Sequence, residues 1–180
     1  MTAVADLSNS FRGWGDIIVG RPNGEKQFRL TNAGLLAALL TFALALLLSV
    51  AAQSAALGMP GLGQVVLGLL IQSATVVLLG MAISRTLKFL GLGVPLLALL
   101  VPALYGLAYI EVLAIPLTLI GPNAGILALA VLGFMLYRLA RMVGLMPLGV
   151  AIAFAVLCVL VLVAVPNALY MLVSLIPSAP

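Results

Sequence analysis

The sequence predicts an all-α integral membrane protein with five transmembrane helices. Three observations lead there. Of 180 residues, 65% are hydrophobic and only 7% are charged, against about 25% charged in a typical soluble domain. The apolar runs are too long to be single helices, and they are interrupted by glycine and proline clusters rather than by polar segments. The eight lysines and arginines all fall on one side of the bilayer if the chain crosses five times.

Residues 1–31 precede the first apolar run and read as a cytoplasmic arm. Val4, Leu7, Phe11, Trp14 and Ile18 recur at spacings of three and four, which is one face of a helix. Asp6, Ser8, Asn9, Arg12 and Asp16 take the remaining positions, and Asp6 is a candidate N-cap. Such a helix is expected to lie in the membrane interface, with Trp14 as an anchor. Gly13 and Gly15 weaken it, and Arg21-Pro22-Asn23-Gly24 ends it.

Residues 32–180 read as one transmembrane domain. No charge occurs from Leu30 to Ser84. One helix over that stretch would reach about 80 Å, whereas about 20 residues cross a hydrocarbon core. The chain therefore turns at Gly58-Met59-Pro60-Gly61-Leu62-Gly63, giving spans near 33–57 and 64–84. Arg85 and Lys88 close the second span. A third runs over about 94–119 and contains Pro102 and Pro116, where kinks are expected. Gly121-Pro122-Asn123 turns the chain into a fourth, about 124–143, closed by Arg138 and Arg141. A fifth covers about 147–165, with an interruption expected at Pro166-Asn167. Arg85, Lys88, Arg138 and Arg141 serve as interface anchors in this reading. The threading puts the N-terminus in the cytoplasm and the C-terminus outside, as in a multi-pass protein of the cell inner membrane.

Small and polar residues mark helix faces. Ala38, Thr41, Ala45, Ser49, Ala52, Gln53 and Ala56 share one face of the first span, and Gln64, Gly68, Gln72 and Thr75 one face of the second. They predict a packing seam between those two helices.

Glu111 is the one charge inside the long apolar runs, with Lys88 and Arg138 its nearest charged neighbours in sequence. It falls about 12 Å from the outer edge of the third span, and Gln72 falls about 12 Å from the same edge on the second. A carboxyl at that depth needs a polar partner and does not face lipid. Gln72 is the expected partner, with Tyr105 and Tyr109 offering hydroxyls from the same helix. Two readings follow: a hydrogen-bonding tie between helices, or a proton or cation site.

The catalytic classes are narrower. With no histidine and one cysteine, the chain holds no His-based zinc site, Ser-His pair or internal disulfide. Both aspartates lie in the arm, so no intramembrane aspartate pair forms. Cys158 sits mid-span and reads as a small core or lipid-facing residue. Gly91-Leu92-Gly93 and Gly13-Trp14-Gly15 lack the context of phosphate or dinucleotide loops. No enzymatic activity, cofactor, metal or nucleic-acid partner is expected. The expected partners are the lipid bilayer and a second copy or another membrane protein.

The layout resembles the Yip1 family, above all its Ala/Leu-rich bacterial members. The stretches that carry the resemblance are Ile115-Pro116-Leu117-Thr118-Leu119-Ile120-Gly121-Pro122 and Tyr137-Arg138-Leu139-Ala140-Arg141. The Gly-Tyr-rich signatures of the eukaryotic branch are absent. The resemblance implies five helices behind a polar arm and a role in organising or sorting membranes, in the eukaryotic branch through small GTPases. It assigns no site residue. The sequence reading thus favours a membrane-organising, assembly or scaffolding factor, against a small transporter or channel subunit using Glu111 and Gln72, or an accessory subunit of a larger complex.

Overall fold

A computed structural model describes residues 3–58, 61–120 and 124–174. The element order is α1 (Ala3–Val19), a short 3-10 turn (Gly24–Gln27), α2 (Asn32–Leu57), α3 (Leu62–Phe89), α4 (Leu96–Ile120), α5 (Ala124–Met142) and α6 (Leu148–Ser174). No strand occurs among the described residues. Five helices, α2 to α6, are long and apolar enough to cross a membrane. The Gly121-Pro122-Asn123 turn, Met59 and Pro60 lie outside the described residues.

The helix ends follow local chemistry. Thr31 caps α2 by accepting the Gly34 amide at 3.2 Å, which satisfies one donor that the first turn leaves open. At the start of α3 the Gln64 side chain accepts the Gly61 amide at 3.3 Å. α3 runs five residues beyond the expected end at Ser84, so Arg85 and Lys88 sit on its last turns. Cations there complement the negative end of the helix dipole.

Pro166 does not interrupt the last helix, contrary to expectation: α6 continues to Ser174. Asn167 donates its side-chain amide to the Val163 carbonyl at 2.7 Å, beside the carbonyl that the proline leaves without an amide partner.

α4 is the centre of the bundle. From Ala98 to Ala108 nearly every residue is buried. Ala98, Ala103, Gly106 and Ala108 keep its surface low, so neighbouring backbones come close. α2 packs along one side of α4 and α5 along another. α6 packs on α5 and α3, and α3 returns to touch α4. α3 buries Ile71, Thr75, Leu79, Ile83 and Leu87, a stripe at four-residue intervals. The outward faces are leucine-rich, as with Leu36, Leu40, Leu44, Leu47 and Leu48 on α2.

The seam expected between the first two spans is absent. The small face of α2, with Ala38, Ala45 and Ser49 buried, packs on α4 instead. Among the described residues α2 and α3 share no extended interface. Sequence adjacency makes two helices neighbours by default, but α4 offers the smaller and more continuous groove.

α1 is docked on the bundle. It packs against α2, α4 and α5, and Trp14, read as an interface anchor, is only 3% exposed. The polar and aromatic groups of α4 explain the difference. The Trp14 Nε1–H donates to the Pro102 carbonyl at 3.0 Å. The Ser10 and Tyr109 hydroxyls share a 2.6 Å hydrogen bond. Phe28 meets the Trp14 ring edge-on with centroids 6.3 Å apart. Gly106 gives the indole room: a Cβ on it would stand 3.0 Å from Trp14 Cζ2 and press the ring back by a few tenths of an ångström. Since Trp14 meets Pro102 and Ser10 meets Tyr109, α1 runs obliquely against α4 with its amino end further along the span. Its outer face carries Phe11, 71% exposed, and Val19, 69% exposed.

Candidate functional site: a polar cleft between α2 and α3

The missing α2–α3 interface leaves a cleft of about 480 Å³. Its walls come from the C-terminal half of α2 (Leu46 to Gly58) and the N-terminal half of α3 (Gln64 to Gln72), with Glu111 of α4 and Tyr170 of α6. Helix direction places it. Gly80 of α3 adjoins Leu100 of α4, and Gly68 adjoins the Tyr170 hydroxyl. The cleft is therefore at the end of the bundle away from Arg29, Lys88 and Arg141. Among the described residues, no lysine or arginine lines it.

Glu111 is partly buried, and the Ser49 hydroxyl of α2 is the polar group nearest in effect to its carboxyl. Gln53, one turn further along α2, donates its Nε2 to Ser49 Oγ at 3.1 Å. The two α2 side chains thus form a short polar pair on the wall that the carboxyl faces. A carboxyl in hydrocarbon is tolerated when it faces such groups rather than lipid.

The expected site residues divide into two places. Glu111 and Gln72 line the same cleft, and Ser49 of α2 stands beside the carboxyl as well. Ser49 was legible as a polar member of the α2 face; what hid its role was the assumption that this face meets α3. Tyr105 and Tyr109 do not line the cleft. Tyr109 leans on Ser10 and on Phe11, with centroids 5.9 Å apart. Tyr105 packs on Phe28, with ring centroids 6.2 Å apart. Two residues along a helix turn the side chain by about 200°, so Tyr109 and Glu111 take nearly opposite faces of α4.

The anchors divide as well. Arg85 and Lys88 are exposed, as expected of headgroup anchors. Arg138 is not free to extend toward headgroups: its Nε donates to the Ile17 carbonyl at 3.2 Å. It adds a charged donor to the last turn of α1, where the Ile17 carbonyl also accepts the Gly20 amide at 3.2 Å. Arg141 donates to the Met146 carbonyl at 2.8 Å and closes the α5–α6 turn. Cys158 is fully buried in the core.

Chemically, the cleft offers one carboxyl, three glutamine side chains and two serine hydroxyls against walls of leucine and valine. It can accept hydrogen bonds and balance one positive charge. Comparison with family models, with curated proteins and with solved structures finds no match to this chain.

Proposed function

We propose that this chain is a non-enzymatic multi-pass protein of the cell inner membrane that takes a small positively charged or hydrogen-bonding solute into the α2–α3 cleft, as a small transporter or channel subunit. The observation that carries this reading is that Glu111 and Gln72, about equally deep by helix rise, line one cleft with no lysine or arginine. The single carboxyl makes a poor proton relay by itself, and the cleft volume exceeds what a proton path requires. Cation placement supports an N-terminus in the cytoplasm and a C-terminus outside. The test is flux of small cations and protons in proteoliposomes, comparing the native chain with Glu111→Gln. Flux that falls to background in the variant supports the reading. Flux equal in both, or absent from the native chain, defeats it.

A second reading, a membrane-organising or assembly factor with the Yip1-like role, is favoured by a different surface. An apolar groove of about 510 Å³ runs between α5 and α6 and includes Ala130, Gly133 and Ala155. Small residues of that kind admit a partner helix. Extraction in mild detergent tests it, because a lone monomer at all concentrations counts against it.

A further inference from the structure

The cleft reads beyond a generic cation site. Its charge excludes an anionic ligand: one carboxyl is present and no lysine or arginine. It is also poorly made for a bare metal ion. Calcium takes six to eight oxygen ligands and magnesium a strict octahedron, whereas here one carboxyl is set among neutral side chains in about 480 Å³. That volume lies in the range of pockets for organic ligands, about 300–1,000 Å³. The walls decide the rest. Leu46 and Val50 of α2 face the cleft from one side, and Val65 and Leu69 of α3 from the other. Because α2 and α3 share no extended interface among the described residues, nothing of these two helices closes the gap between them. A fully hydrated solute would leave these walls unmatched, whereas an ammonium group with an apolar tail satisfies both parts. Its three N–H donors find the Glu111 carboxylate and the Gln72 side-chain oxygen. Gln53 turns its Nε2 toward Ser49, which leaves its carbonyl oxygen for a donor.

We infer that the cleft binds the protonated amine of an amphiphile at Glu111 and Gln72, with the apolar tail leaving between α2 and α3 into the bilayer. This rests on the cleft being a solute site, and it names the class of solute. The amine belongs either to a membrane lipid headgroup or to a free cationic amphiphile.

The test is saturable binding of tritiated octylamine to the purified full chain in phosphatidylcholine nanodiscs. The expected results are binding that Glu111→Gln weakens at least tenfold, competition by octylamine that exceeds that of methylamine at least tenfold, and no competition by octanoate. Gln72→Leu, which removes no charge, keeps the test intact if Glu111→Gln aggregates on size exclusion; a several-fold loss is expected. Phosphatidylethanolamine added to the nanodisc separates the sources. Competition by it assigns the site to the lipid amine, and no competition assigns it to a free amphiphile. Absence of saturable octylamine binding, equal competition by octanoate, or methylamine as effective as octylamine overturns the inference. Glu111-dependent cation flux without octylamine binding would sink this inference and leave the solute reading standing. Octylamine binding without flux would do the reverse.

Discussion

Replacing Trp14 with alanine is expected to release α1 from the bundle while leaving the five spans intact. The magnitude follows from what the indole touches. It is 3% exposed, it lies against Gly106 and Phe28, and its N–H donates to the Pro102 carbonyl. Deleting a buried tryptophan side chain costs about 3–5 kcal/mol. Because the spans gain their own contacts independently of α1, most of that loss falls on docking of the arm. At about 1.4 kcal/mol per tenfold, the undocked population rises by roughly two to three and a half powers of ten. Hydrogen exchange in detergent micelles reads this directly: amides of residues 7–17 lose protection by that factor, while those of α4 keep theirs. Trp14→Phe retains a ring but loses the donor, and should cost about 1 kcal/mol, near fivefold in exchange. Unchanged protection of α1 in the alanine variant would refute the argument, since it would mean that the buried indole does not hold the helix.

Other outcomes are expected from the same contacts. Gly106→Val puts side-chain atoms where the indole lies, 3.0 Å from the position of a Cβ, and should also release α1; combined with Trp14→Ala it should add little, because both remove one contact. Arg138→Gln removes the donor to the Ile17 carbonyl and should speed exchange over residues 17–21 by about tenfold, a loss near 1.4 kcal/mol. In a Cys158→Ala background, cysteines placed at Gln64 and at Lys88, both exposed, should react with an impermeant maleimide from opposite faces of sealed vesicles. Labelling of both from the same face would break the five-span threading.

Much of the architecture was legible because it follows from charge and from breakers. Leu30 to Ser84 without a charge, broken by Gly58 to Gly63, has one solution at 1.5 Å per residue. The face of α1 was legible too, from Phe11, Trp14 and Ile18, but not its destination. An apolar stripe fits a headgroup layer and a groove between helices equally well, and only the approach of Gly106 and the Pro102 carbonyl decides. Partner choice was the weaker part. The face bearing Ala45 and Ser49 was recognised as a packing face, yet its partner is α4, because sequence order favours α3 and nothing local reports which helix lies closer. For the site, rise per residue brought Glu111 and Gln72 to one level. It carries no rotation between helices, so it left Tyr105 and Tyr109 with the carboxyl when they belong to the arm.

The seat of α1 has a consequence for biogenesis. Its contacts include Tyr109 and Arg138, so α1 must wait for α4 and α5 before it can take its place. At about 5–20 residues per second, the wait between completing Val19 and making Arg138 is on the order of 6–24 s. Until α4 is made, Trp14 lacks Pro102 and Gly106 to cover it, and the lipid headgroup layer is the nearest refuge for an amphipathic segment. The nascent chain thus passes through the surface-bound arrangement that its periodicity describes before the finished bundle draws the helix in.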